Sequence, residues 1–131
     1  MIRRVVAVFL ALHGIVHVMG LLGSWRLADI KELPYTTQVL NGTVDVGDVG
    51  ERLVGVLWLV GASAFVVAAI ATWRTSEHWV RILSVATVLS LAACLFGLPA
   101  SSIGVVIDLL ILLAIGIYST FGPAPLTQTV H

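Results

Sequence analysis

Leu12-His13-Gly14-Ile15-Val16-His17-Val18-Met19-Gly20 places two histidines one helical turn apart in a stretch that is otherwise hydrocarbon. Spaced by four, both rings leave the same face of a helix. A polar group at membrane depth is costly, so each ring needs a partner or a task. Around them apolar sequence runs over residues 4–24, close to the roughly 20 residues that a helix needs to cross a bilayer.

Three further apolar runs, 52–73, 79–98 and 102–121, have similar length. The reading is an all-α, integral membrane four-helix bundle, a single transmembrane domain over 1–131. Composition agrees: 59% of the 131 residues are hydrophobic and 11% charged, with a mean hydropathy of +1.06, more apolar surface than a small soluble core can hide. Seven basic residues balance seven acidic ones, so no basic field attracts nucleic acid. The lone Cys94 excludes an intramolecular disulfide and a cysteine-built zinc site. The first apolar run is too long for a signal peptide and no small-x-small cleavage site follows it, so it reads as a retained helix.

Arg3 and Arg4 precede helix 1, and Arg74 and Arg81 flank the connection between helices 2 and 3, whereas the 25–50 connection carries most of the acidic residues. The positive-inside rule then puts both termini in the cytoplasm. Trp25, Trp73, Trp79 and Tyr118 fall near helix ends, where amphipathic rings favour the interface, while Trp58 falls deeper. In the outer loop, Pro34 ends any extension of helix 1. Thr37–Val46 has β-rich flanks around Asn41-Gly42, which predicts a small extracytoplasmic hairpin capping the bundle. Asn41-Gly42-Thr43 also fits a glycosylation pattern, which the tight turn explains as well. The tail from Pro123 onward reads as a short disordered end.

Chemistry has to come from the few polar residues inside the helices. Counting about 1.5 Å per residue from Ser24, His17 lies roughly 10 Å and His13 roughly 16 Å below the outer surface. Counting from Ser102, Asp108 lies about 9 Å down, so His17 and Asp108 are expected at one level. Ser84, Thr87, Ser90 and Cys94 form a polar stripe on helix 3, and Ser90 shares that level with the Trp58 indole. The expectation is one polar pocket: Asp108, His17 and His13 as acid–base residues, with Trp58, Ser90 and Thr87 contacting a ligand and Glu51 and Arg52 at the mouth.

Each residue also has a plainer role. Small and hydroxyl residues serve close packing and backbone bonding in membrane helices. Glu51 and Arg52 suit a solvated helix start. His13 and His17 suit interhelical hydrogen bonds, and Asp108 must face the interior, protonated or paired. His-x-x-x-His is also a metal-binding spacing, but the only further intramembrane ligand in reach is Asp108, so no metal and no cofactor is assigned. One iron of a haem takes ligands on opposite faces, which two residues one turn apart cannot supply.

The run Leu12–Gly20, the Gly55-Val56-Leu57-Trp58 segment, and the Leu98-Pro99-Ala100 turn leading into Gly104-Val105-Val106-Ile107-Asp108 resemble small bacterial four-helix, DoxX-like membrane proteins. The resemblance picks out His13, His17, Trp58 and Asp108, a position that in similar proteins can be an amide, and it implies a quinone-linked redox partner. The longer outer loop departs from the pattern. A permease role has no support, since there is no ATP-binding motif and four short helices are few for alternating access. Three functions follow as expectations. The first is binding of a lipophilic small molecule, with acid–base isomerisation, cyclisation or epoxide opening. The second is a quinone- or metal-binding redox subunit. The third is a structural subunit of a membrane complex or homo-oligomer.

Overall fold

A computed structural model describes residues 1–121, so the expectation for the tail falls outside the described residues. The chain forms α1 (Ile2–Ser24), a two-stranded antiparallel hairpin of β1 (Gln38–Val39) and β2 (Val44–Asp45), then α2 (Gly47–Trp73), α3 (Trp79–Phe96) and α4 (Ser102–Phe121). All four helices are long and apolar enough to cross a membrane. The architecture is an all-α four-helix bundle of a multi-pass membrane protein. Leucine and valine remain exposed along every helix, as lipid-facing surfaces require.

Sequential neighbours pack together: α1 on α2, α2 on α3 and α3 on α4. On α4 Asp108 alone is buried, so that helix rests on α3 and presents most of its surface outward. At the end of the bundle carrying the N terminus, Arg3 lies over the Trp79 ring and Arg4 over Trp73, both 5.5 Å from the ring centroid. These pairs join cationic and aromatic residues of the kind that anchor helix ends at an interface.

The opposite end bears the hairpin. Its strands pair Gln38 with Asp45 and Val39 with Val44, leaving a four-residue connection, Leu40–Thr43, rather than a two-residue Asn-Gly turn. Leu40, Asn41 and Gly42 all take positive φ, at 51°, 58° and 78°. Asparagine and glycine tolerate this conformation, and Leu40 is held in it by its carbonyl, which accepts from the Thr43 hydroxyl at 2.7 Å. The Asp45 carboxylate accepts from the Gly47 amide at 3.0 Å, satisfying one of the free N–H groups at the start of α2. That helix therefore begins at Gly47 rather than at residue 52, and Glu51 and Arg52 lie a turn inside it.

Trp58 on α2 sits against Gly20 of α1 and against Gly97 just past α3; a Cβ would meet its ring at 2.2 Å on Gly20 and 2.9 Å on Gly97. Both close approaches require glycine. The hairpin is bonded to the end of α3. Its Leu40 amide donates to the Phe96 carbonyl at 3.4 Å and its Asn41 amide to the Leu98 carbonyl at 3.3 Å.

Candidate functional site

Between two apolar clusters, Leu10–Phe65–Ala68–Leu83–Ala86 on one side and Val39–Val54–Trp58–Ala93–Cys94 on the other, lies a layer of four polar side chains. His13 and His17 come from α1, Ser90 from α3 and Asp108 from α4. Ser90 and Asp108 are fully buried, His17 is 2% exposed and His13 8%. His13 Nε2 lies 3.2 Å from Asp108 Oδ1, Ser90 Oγ lies 2.6 Å from Asp108 Oδ2, and His17 Nε2 lies 2.6 Å from Ser90 Oγ. His17 Nδ1 is 3.0 Å from the His13 carbonyl. Phe65 covers both imidazoles, with centroids 4.7 Å from His13 and 5.8 Å from His17. Gly61 makes room for the His17 ring: a Cβ there would lie 3.2 Å from its Cδ2.

The hydrogen positions follow from the acceptors. A carbonyl only accepts, so His17 Nδ1 carries a hydrogen. If His17 is neutral, its Nε2 accepts from Ser90, and the Ser90–Asp108 contact then needs a hydrogen on the carboxyl. If Nε2 also carries a hydrogen, it donates to Ser90, which donates to the carboxylate. Both arrangements hold the same number of protons and differ by a concerted shift of two hydrogens along Asp108–Ser90–His17. The network is therefore a closed proton store, and its overall charge is zero in either form when His13 is neutral.

The expected meeting of His17 and Asp108 takes the form of a bridge: Asp108 touches His13 directly and reaches His17 through Ser90, and the ligand atoms of the three residues lie within 4.8 Å of one another.

The expected single pocket is also divided. Above the layer, under the hairpin, is a cavity of about 290 Å³ lined by Gly20, Ser24, Val39, Glu51, Val54, Trp58, Phe96 and the Gly97–Ala100 turn, with Thr36 and Gln38 in its wall. Trp58 is its floor, and the same ring lies 5.1 Å from His17 on the other side. Of the expected ligand contacts, Trp58 and Glu51 line the cavity. Ser90 belongs to the proton network beneath. The Thr87 hydroxyl is turned to the Leu83 carbonyl at 2.8 Å within its own helix. Arg52 faces a separate small cleft with Trp25, Arg26, Tyr35 and Asp48, and its carbonyl accepts from the Trp25 indole at 3.0 Å.

Glu51 departs from a solvated helix start. It is 7% exposed and accepts from the Ser24 hydroxyl at 2.6 Å; Ser24 is itself 6% exposed. Ser24 is the residue that sequence reasoning missed. Its signal was its position, the last residue of α1 facing the first turns of α2. His13, His17 and Asp108 each offer a ligand atom within 4.8 Å of the others, a two-histidine, one-carboxylate set. A metal there would have to separate His13 from Asp108 and His17 from Ser90. Among the described residues no buried side-chain nitrogen or oxygen lacks a partner. Comparison of the chain with protein-family models, curated proteins and solved structures finds no match.

Proposed function

We propose that this chain is a small-molecule-binding membrane protein whose hairpin-end cavity takes a lipophilic molecule, with the His13–Asp108–Ser90–His17 network beneath it supplying or accepting a proton. The observation that carries the reading is the shared Trp58 ring, cavity floor on one face and neighbour of His17 on the other. In size the cavity sits at the lower end of small-molecule sites, and its wall is mostly apolar with a few polar groups, as such sites are. In a bacterial inner membrane with both termini cytoplasmic, as the Arg3, Arg4, Arg74 and Arg81 cluster supports, the cavity opens toward the outer side. Acid–base chemistry on the occupant, such as isomerisation, cyclisation or epoxide opening, requires the indole to swing aside so that His17 meets the ligand. Native mass spectrometry of the purified protein tests the binding: a lipophilic adduct on the native chain and none on Ala100→Trp, which fills the cavity, is the expected pair of results. The same adduct on both would remove the cavity as its site.

The complete pairing of the network favours a second reading, in which His13, His17, Ser90 and Asp108 only lock the helices. Under it, Asp108→Ala changes stability and leaves ligand binding or turnover untouched. A quinone-linked redox role, implied by the DoxX-like resemblance, uses the same cavity and is separated from the others by absorption spectra and metal analysis of the purified protein.

A further inference from the structure

Among the described residues, Glu51 is the one titratable side chain lining the hairpin-end cavity. Its carboxyl is buried, one oxygen is engaged by Ser24 at 2.6 Å, and none of the ion pairs among the described residues includes it. Arg52 beside it in sequence faces the separate cleft, and Arg26 is taken by Asp48 at 3.3 Å and by the Tyr35 ring. Among the described residues the remaining wall contributes no cation. A carboxylate largely shielded from water and without a counter-ion is costly, so a ligand that brings a positive charge is favoured at this site. Two aromatic side chains, Trp58 and Phe96, line the same space, and aromatic faces attract organic cations.

We propose that the occupant of this cavity is a lipophilic amine, its ammonium group donating to Glu51 and its apolar body lying against Trp58 and Phe96. The assignment rests on the reading of the cavity as a binding site and adds the chemistry of the head group. Ser24 positions the carboxyl by holding its other lone pair, which leaves the charge with no competing donor from the protein except that hydroxyl. A charge-assisted hydrogen bond is stronger than a neutral one, so the amine gains over an alcohol of the same shape.

The test uses the full chain in lipid nanodiscs and two probes of equal shape, 1-adamantylamine and 1-adamantanol, titrated by calorimetry with empty nanodiscs subtracted. The native protein is expected to bind the amine about tenfold more tightly than the alcohol or better. Glu51→Gln, which keeps the shape and the Ser24 contact, is expected to bring the amine down to the alcohol's affinity and leave the alcohol unchanged. Ser24→Ala, which keeps the carboxylate, is expected to retain the preference for the amine. Equal binding of the two probes by the native protein, or an amine preference that survives in Glu51→Gln, would overturn the amine assignment and leave the cavity as a binding site. Binding of neither probe would overturn both.

Discussion

His13 Nε2 and Asp108 Oδ1 meet at 3.2 Å, joining the first helix of the bundle to the last, and Asp108 is the only buried residue that α4 contributes. The last helix is therefore held in place by packing on α3 and by one carboxyl that serves α1 and α3 at once.

Loss of that carboxyl strands His13. Asp108→Ala leaves His13 Nε2 unpaired, at a cost of about 1–3 kcal/mol, while the Ser90 hydroxyl keeps His17 Nε2 as its partner. Asparagine offers an oxygen to His13 and an N–H to Ser90, the pattern of the protonated carboxyl, so Asp108→Asn is expected within about 1 kcal/mol of the native protein. Reversible unfolding in mixed micelles checks both. An asparagine variant as unstable as the alanine variant would mean that the ion-pair arrangement is the one that holds the helices.

Ser90 carries the connection between Asp108 and His17, at 2.6 Å on each side. Ser90→Ala is expected to destabilise the bundle by about 1–3 kcal/mol and to abolish any turnover that depends on the proton store, while Ser90→Thr restores both. Turnover unaffected by Ser90→Ala would take the network out of the chemistry.

Gly20 lies under the Trp58 ring so closely that a Cβ would stand 2.2 Å from Cδ2. Gly20→Ala forces the indole out of its seat, at about 1–3 kcal/mol for an overpacked site. Indole fluorescence, with the other tryptophans replaced, is expected to shift as the ring moves. An unshifted spectrum would show that the backbone yields instead and that Trp58 stays as the floor of the cavity.

The hairpin has a pH dependence of stated sign. The Gly47 amide, and after it the Thr37 hydroxyl, hold the Asp45 carboxyl below its ordinary value. A group whose folded-state value is lowered contributes stability above its unfolded value and loses it as pH falls through the folded one. Protection of the Gly47 amide from hydrogen exchange is thus expected to hold from neutral pH down through the usual carboxylate range and to fade below it. For Asp45→Asn, which lacks the charge, protection is expected to be weaker throughout and flat across that range. A native profile equally flat would remove Asp45 as the cap of α2.

The helices and the hairpin were legible in the sequence because each has a local cause. Apolar runs of bilayer length give α1 to α4, and Asn41-Gly42 between β-rich flanks gives the hairpin. That His13, His17, Ser90 and Asp108 belong together was legible too, since each is a polar residue in the half of the membrane toward the hairpin and none can face lipid cheaply. Which histidine touches Asp108 was not. It depends on how α4 seats against α1 and α3, a tertiary fit with no local sign. The Trp58 ring, close against Gly20 and Gly97, divides the expected pocket in two. The burial of Glu51 was hidden for a related reason: α2 starts at Gly47, under the hairpin, rather than at the apolar run that hydropathy detects.

The most direct test of the account is an experimental structure of the protein extracted with its surrounding lipid by polymer rather than detergent. The account predicts non-protein density in the cavity above Trp58, reaching Glu51, with His13 and Asp108 in contact beneath. A cavity filled by side chains, or Asp108 turned toward lipid, would contradict it.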